Sequence, residues 1–283
     1  MSIIRTFLEK RGLNPNGEMN FMEHIEVFRW HLIRSLVAVL IFSIVAFINI
    51  DFIFDKIILG PANEDFIAYK WLCGMGKFLH VSVLCLPPLQ IKFQSTELSG
   101  QFMMSFSSSF MIGFIVAFPY IFWEFWRFIK PALKKHELKY ARGIVFWSSL
   151  LFFIGVLFAY FLIAPFTINF FTNYQLSPKF ENIFTIGNYY STLSDLILGL
   201  GLVFELPVLV YFLSRIGVIT PKFLKNTRRY AYVIIMVVAA VITPPDWFSI
   251  FLVAIPLVVL YEISIIICGR IVKSKKVEEK LDW

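Results

Sequence analysis

The sequence predicts an all-α integral membrane protein: six transmembrane helices forming one domain over residues 1–283, with both termini cytoplasmic. Three observations predict it. The 283 residues are 58% hydrophobic and 18% aromatic, with a mean hydropathy of +0.74, more apolar than a water-soluble chain of this length requires. Six apolar runs approach the roughly 20 residues that a helix needs to cross a ~30 Å hydrocarbon core. The Lys and Arg residues alternate between the segments that join those runs.

The first run, 32–50, is broken only by Arg34 at its start. The second, 102–123, is rich in Ser and Phe and contains Pro119. Runs 144–164 and 190–214 follow, the latter holding Glu205, and 231–242 and 248–268 complete the set. No ladder of alternating strands accompanies them, and a lone strand leaves its backbone unsatisfied in lipid, so the runs are helices.

Positive residues near span ends stay on the cytoplasmic side. Of the 26 Lys and Arg, 21 fall in residues 1–34, between runs two and three, between runs four and five, and in the tail 269–283. Only Lys56, Lys70, Lys77, Lys92 and Lys179 lie elsewhere. The formal charge of +7 therefore reflects topology, and its dispersal among short segments beside lipid argues against nucleic-acid binding. The first apolar run is full length and lacks a small-residue cleavage site, so it reads as an uncleaved anchor.

Within the cytoplasmic N-terminal segment 1–31, Ile3, Ile4, Phe7 and Leu8 share one helical face, expected to lie on the inner membrane surface until GLNPNG breaks it. Asn20 and Glu23 have the spacing of a capping box opening the first span. The outer loop between runs one and two carries Cys73 and Cys85 in a compartment that permits disulfides; the two are either bridged or buried free thiols. Cys268 sits at the inner end of run six.

Motifs for chemistry are missing. The chain has no Gly-rich phosphate loop, no G-x-G-x-x-G and no H-E-x-x-H, and its four histidines are scattered. Ser107, Ser108 and Ser109 lack a membrane-embedded base and read as helix-packing residues. No enzyme activity, cofactor or metal is expected. What remains is Glu205 in GLVFELPVL (201–209), taken as the single acid deep in a span. An ionised acid at a helix centre costs about 2.5–3.5 kcal/mol, so Glu205 must face protein or water, or be protonated. Pro207 frees a carbonyl one turn earlier and bends the helix, making a concave polar spot; hydrogen bonds within the bundle are the alternative use of the carboxylate.

FELPVLVYFLSRIGVIT (204–220), TPPDWFS (243–249), AIPLVVLYEI (254–263), FPYIFWEFWRFIKPALKKHE (118–137) and HIEVFRWHL (24–32) resemble, in order, the TatC family, the multispanning subunit of the twin-arginine protein translocase. The resemblance implies a concave bundle in the bacterial inner membrane that receives twin-arginine precursor proteins. It also implies assembly with TatA- and TatB-type single-span subunits and with further copies of itself, and export of folded proteins on the proton gradient without a cofactor. It makes Glu205 and Pro207 a docking site for partner helices, Pro131, Pro244, Pro245 and Asp246 structural motif residues, and Glu137 a signal-peptide ligand. A second family glutamate falls at Val27, which cannot hold an arginine. Glu23, four residues back on the same helical face, is the expected substitute, and Glu26 the second choice. Ile250 stands where the family often has a polar residue, thinning the cluster around Glu205. A small-molecule or ion transporter with Glu205 in its pathway is the alternative, though no inverted repeat is visible.

Overall fold

The computed structural model describes residues 21–80, 85–87, 89, 91–130, 143–177, 179, 182–244 and 247–281, with the side chains of 21–24, 79 and 274–281 excepted. The expected N-terminal surface helix and Asn20 of the capping box lie outside the described residues.

Helix α1 (Phe21–Ile48) is followed at its far end by a short turn (Ile50–Phe52), a π-helical segment (Ile53–Ile58), a 3-10 turn (Gly60–Ala62) and then α2 (Ile67–Leu79). Strand β1 (Phe93–Gln94) leads to α3 (Gly100–Ile129). Helices α4 (Ile144–Phe158) and α5 (Ala164–Asn173) are joined through a π-helical stretch, Ala159–Ile163. Strand β2 (Phe184–Thr185) precedes α6 (Ile186–Val203) and α7 (Leu206–Ile216); then come α8 (Pro221–Asn226), α9 (Arg228–Ile242) and α10 (Trp247–Leu281).

Five helical segments are long and apolar enough to cross a membrane: Ile25–Ile48, Gly100–Ile129, Ile144–Asn173, Ile186–Ile216 and Trp247–Lys273. The expected fifth span, 231–242, falls in α9, whose 15 residues extend about 22 Å at 1.5 Å per residue, short of a ~30 Å core. Glu262 of α10 fastens α9 in place, accepting from Arg228 and from the Tyr232 hydroxyl at 2.6 Å each. Helix α10 continues to Leu281 where a separate tail was expected. After Gly269 the sequence RIVKSKKVEEKL has no further Gly or Pro, and its Lys, Arg, Glu and Leu are good helix formers.

Helices α1 and α3 form an antiparallel pair. Phe28 meets Phe128 at one end, with ring centroids 5.0 Å apart, and Phe47 meets Phe106 at the other, at 6.1 Å. Away from its face against α3, where Val39 and Ala46 are buried, α1 is nearly bare: only 11% of its apolar window is buried, which leaves the rest of its surface to lipid. The core lies among α3, α4, α6 and α10, where Phe152, Leu196, Leu200 and Leu257 are fully buried and the Phe118 and Phe152 rings stack at 3.6 Å.

The segments at the end of the bundle opposite Phe21 and Leu281 are knitted rather than loose. β1 pairs in parallel with β2, Phe93 opposite Phe184 and Gln94 opposite Thr185. Tyr160, Tyr189 and Tyr69 donate to the carbonyls of Ile57, Ile58 and Pro61 at 2.7, 2.7 and 2.6 Å, satisfying backbone acceptors that the irregular turns leave open. Burial pushes the Tyr69 phenol well above its ordinary pKa, keeping it a donor. Cys73 and Cys85 form a disulfide that ties α2 to the segment after it.

Candidate functional site

Two polar centres stand out in the apolar bundle. The first is Glu205. The fourth membrane-length segment is divided there: α6 ends at Val203, Phe204 and Glu205 form a turn, and α7 begins at Leu206 with Pro207 in its first turn. Pro207 has no N–H to offer the preceding turn, so the break falls where the sequence places the proline. The Glu205 N–H instead bonds back to the Leu202 carbonyl at 3.1 Å.

The neighbouring helix supplies the carboxylate's partner. Ser148 of α4 donates to Glu205 Oε2 at 2.7 Å. Glycine makes that approach possible: a Cβ at Gly155 would lie 2.8 Å from the Leu200 carbonyl oxygen, so only a residue without one lets α4 sit this close to α6. The other oxygen, Oε1, is buried without a hydrogen-bond partner among the described residues. Two residues on, Pro207 lines an apolar groove of about 370 Å³ with Ile144, Trp147, Leu151, Val208, Tyr211 and Ile267. The centre thus has one satisfied and one unsatisfied oxygen at a helix break beside an apolar groove.

The second centre was not expected. Glu205 is not the single acid within the spans: Glu124 in α3 is 1% exposed, Glu262 lies in α10, and Asp195 lies in α6. His31 Nδ1 contacts Glu124 Oε2 at 2.5 Å across the α1–α3 pair. The Tyr120 hydroxyl donates to Oε1 at 3.0 Å, Arg127 donates to Oε1 at 3.4 Å, and Arg34 stands 3.9 Å from Oε2. The apolar run 102–123 stops one residue short of Glu124, which is why the sequence reads that acid as part of a loop. The spacing of Tyr120, Glu124 and Arg127 on one helical face was a local signal; nothing local pairs them with His31.

The other expected site residues are dispersed. Glu26 is exposed on the first turns of α1, and Pro244 is half-buried after α9. Glu137, Pro131, Pro245 and Asp246 lie outside the described residues, as does the side chain of Glu23. Ile250 packs half-buried against the core. Among the described residues no group of His, Cys, Asp and Glu has the arrangement of a metal site.

Five membrane-length helices, with polar groups held at a helix break and a helix crossing, define a multi-pass α-helical membrane protein. Residues 23–256 match the family described as Sec-independent protein translocase protein (TatC), and the chain belongs to that family. It is 42% identical over 264 residues to the Sec-independent protein translocase protein TatC of Blattabacterium sp. subsp. Periplaneta americana (strain BPLAN), across 93% of this chain and 99% of that relative. Against the Aquifex aeolicus (strain VF5) TatC it is 34% identical over 265 residues, covering 92% and 98%. The crystal structure of the twin arginine translocase receptor TatC matches with a TM-score of 0.67 at 31% identity, over 88% of this chain and all of that one. The same receptor in DDM matches with a TM-score of 0.70 at 32% identity, over 86% and 98%. The family resemblance carried by the five motifs is borne out, and the chain is a component of the twin-arginine translocase.

Proposed function

We propose that this protein is the signal-peptide receptor of the translocase, binding twin-arginine precursors at the cytoplasmic face of the bacterial inner membrane and passing them outward folded, on the proton gradient. The observation that carries this reading is the match, over 88% of this chain, to a structure described as the twin arginine translocase receptor. In this reading the chain is one membrane domain with six spans, α9 being the sixth and shortest, and both termini are cytoplasmic. The alternation of Lys and Arg along the sequence supports that orientation.

The receptor site is acidic, because carboxylates accept guanidinium groups in bidentate pairs. Glu137 is its first ligand and Glu23 its second, with Glu26 the alternative on the adjoining helical face. Glu205 and Pro207 form a separate docking site for the transmembrane helices of TatA- and TatB-type subunits. The unpartnered Oε1 and the apolar groove beside Pro207 support it: a partner helix that brings one polar donor satisfies the oxygen while its apolar face fills the groove. Such a bond is worth about 0.6–2 kcal/mol within a membrane. Several copies assemble in the receptor complex.

The test is precursor binding in membrane vesicles by Glu137→Ala, Glu23→Ala and Glu26→Ala separately. Loss in the first two supports the assignment. Loss in Glu137→Ala and Glu26→Ala alone moves the second ligand to Glu26, and undiminished binding in all three rejects the acidic receptor site. Solute uptake without precursor binding would identify a transporter instead.

A further inference from the structure

We propose that the junction of α1 and α3 binds the phosphate of an anionic phospholipid headgroup. The centre holds two guanidinium groups for one carboxylate, so it carries excess positive charge even with His31 neutral. Its exposure is asymmetric. The Glu124 side chain is 1% exposed, whereas those of Arg34 and Arg127 are 38% and 45% exposed, so an approaching ligand meets only the cations.

The buried carboxylate also brings the two cations together. Arg127 lies 3.4 Å from Oε1 and Arg34 3.9 Å from Oε2, so both guanidiniums flank one group. A guanidinium presents a fork of N–H donors matched to phosphate. Among the described residues Arg127 donates once to Glu124, and Arg34 stands beyond hydrogen-bond length from it. Glu124 therefore orients the two forks without saturating them.

The surroundings select a lipid over a free anion. Arg127 lies over the Trp123 ring at 4.7 Å, and Trp30 lies one helical turn before Arg34; the two indoles are 42% and 55% exposed. Exposed tryptophans beside arginines are the residues of a headgroup layer. Along α1 beyond Arg34, Leu36, Leu40 and Ile44 are exposed and leave an apolar track for acyl chains. The ligand thus has a phosphate at one end and hydrocarbon at the other. That it comes from the inner leaflet rests on the orientation proposed above; the binding itself does not.

The experiment is native mass spectrometry of the full chain in detergent micelles, with phosphatidylglycerol or phosphatidylcholine of identical acyl chains added. Phosphatidylglycerol should be retained about thirtyfold more, the scale of two interfacial arginines acting on one anionic headgroup. R34Q/R127Q should abolish the preference and R34K/R127K should keep most of it. If R34Q/R127Q does not fold, R34Q alone, which removes no hydrogen bond to Glu124, should still reduce the preference severalfold. Equal retention of the two lipids, an unchanged preference in the glutamine variants, or displacement of the lipid by an equal concentration of inorganic phosphate would overturn the proposal. Micelles have no sides, so these outcomes are independent of the orientation, which labelling of a single cysteine in the tail of intact cells reads separately.

Discussion

His31 and Glu124, 93 residues apart in sequence, meet at 2.5 Å where α1 crosses α3, and the contact joins the least-buried membrane helix to the bundle. Removing the carboxylate leaves His31, Arg34 and Arg127 facing one another without an acceptor. Glu124→Leu is expected to destabilise by about 3 kcal/mol, the scale of breaking a buried pair from one side. His31→Phe combined with Glu124→Leu should cost less than the sum of the two single changes by at least about 1 kcal/mol. Thermal unfolding in detergent measures all three, and strict additivity would show that the pair is not coupled.

Ser148 supplies the hydrogen bond that Glu205 receives from within the bundle. Glu205→Ala is expected to lower crosslinking to a partner helix by about 3- to 30-fold, the equivalent of one intramembrane hydrogen bond. Ser148→Ala should preserve or raise it, because a carboxylate deprived of its internal donor depends more on an external one. A loss in Ser148→Ala as large as in Glu205→Ala would mean that the serine, not the acid, meets the partner.

Gly155 sets the distance between α4 and α6. A Cβ there would lie 2.8 Å from both the Leu200 oxygen and the Phe204 Cβ, so Gly155→Val must push the helices apart. The expected cost is about 1–3 kcal/mol of overpacking. Because the separation also carries Ser148 away from Glu205, partner crosslinking should change along with the thermal midpoint.

The Cys73–Cys85 bridge closes a loop with a sequence separation of 12. Cys73→Ser is expected to lower stability by about 3 kcal/mol in the chain-entropy account. Alkylation of unreduced, folded protein should label neither residue, and buried Cys268 should react only on unfolding. Labelling of both Cys73 and Cys85 without reductant would refute the bridge.

In the proposed six-span arrangement, helix α9 is too short for an unperturbed bilayer. Its 15 residues reach about 22 Å, and a short apolar stretch is met by thinning the membrane around it. Depth-sensitive lipid probes should report a thinner bilayer beside Val233 and Val237, which are exposed, than beside Ile41 and Ile44 of α1. Equal thickness at both places would contradict this.

Composition and hydropathy were sufficient for the membrane class, the position of the apolar helices and the break at Glu205, because each rests on a local property. A ~30 Å core demands about 20 apolar residues wherever they fold, and Pro207 lacks its N–H whatever its neighbours. The same locality explains the errors. The apolar run 102–123 ended one residue before Glu124, since a hydropathy window penalises a carboxylate without seeing that His31, Tyr120, Arg34 and Arg127 surround it. Only the antiparallel packing of α1 on α3 brings those groups together, and only the glycine-mediated approach of α4 to α6 gives Glu205 its serine while leaving one oxygen bare. Apart from its two cysteines, the long segment between the first two helices likewise offered no local signal of its structure. Its pairing with β2 and the tyrosine-capped carbonyls of Ile57 and Ile58 come from residues about a hundred positions away, contacts that no local pattern encodes.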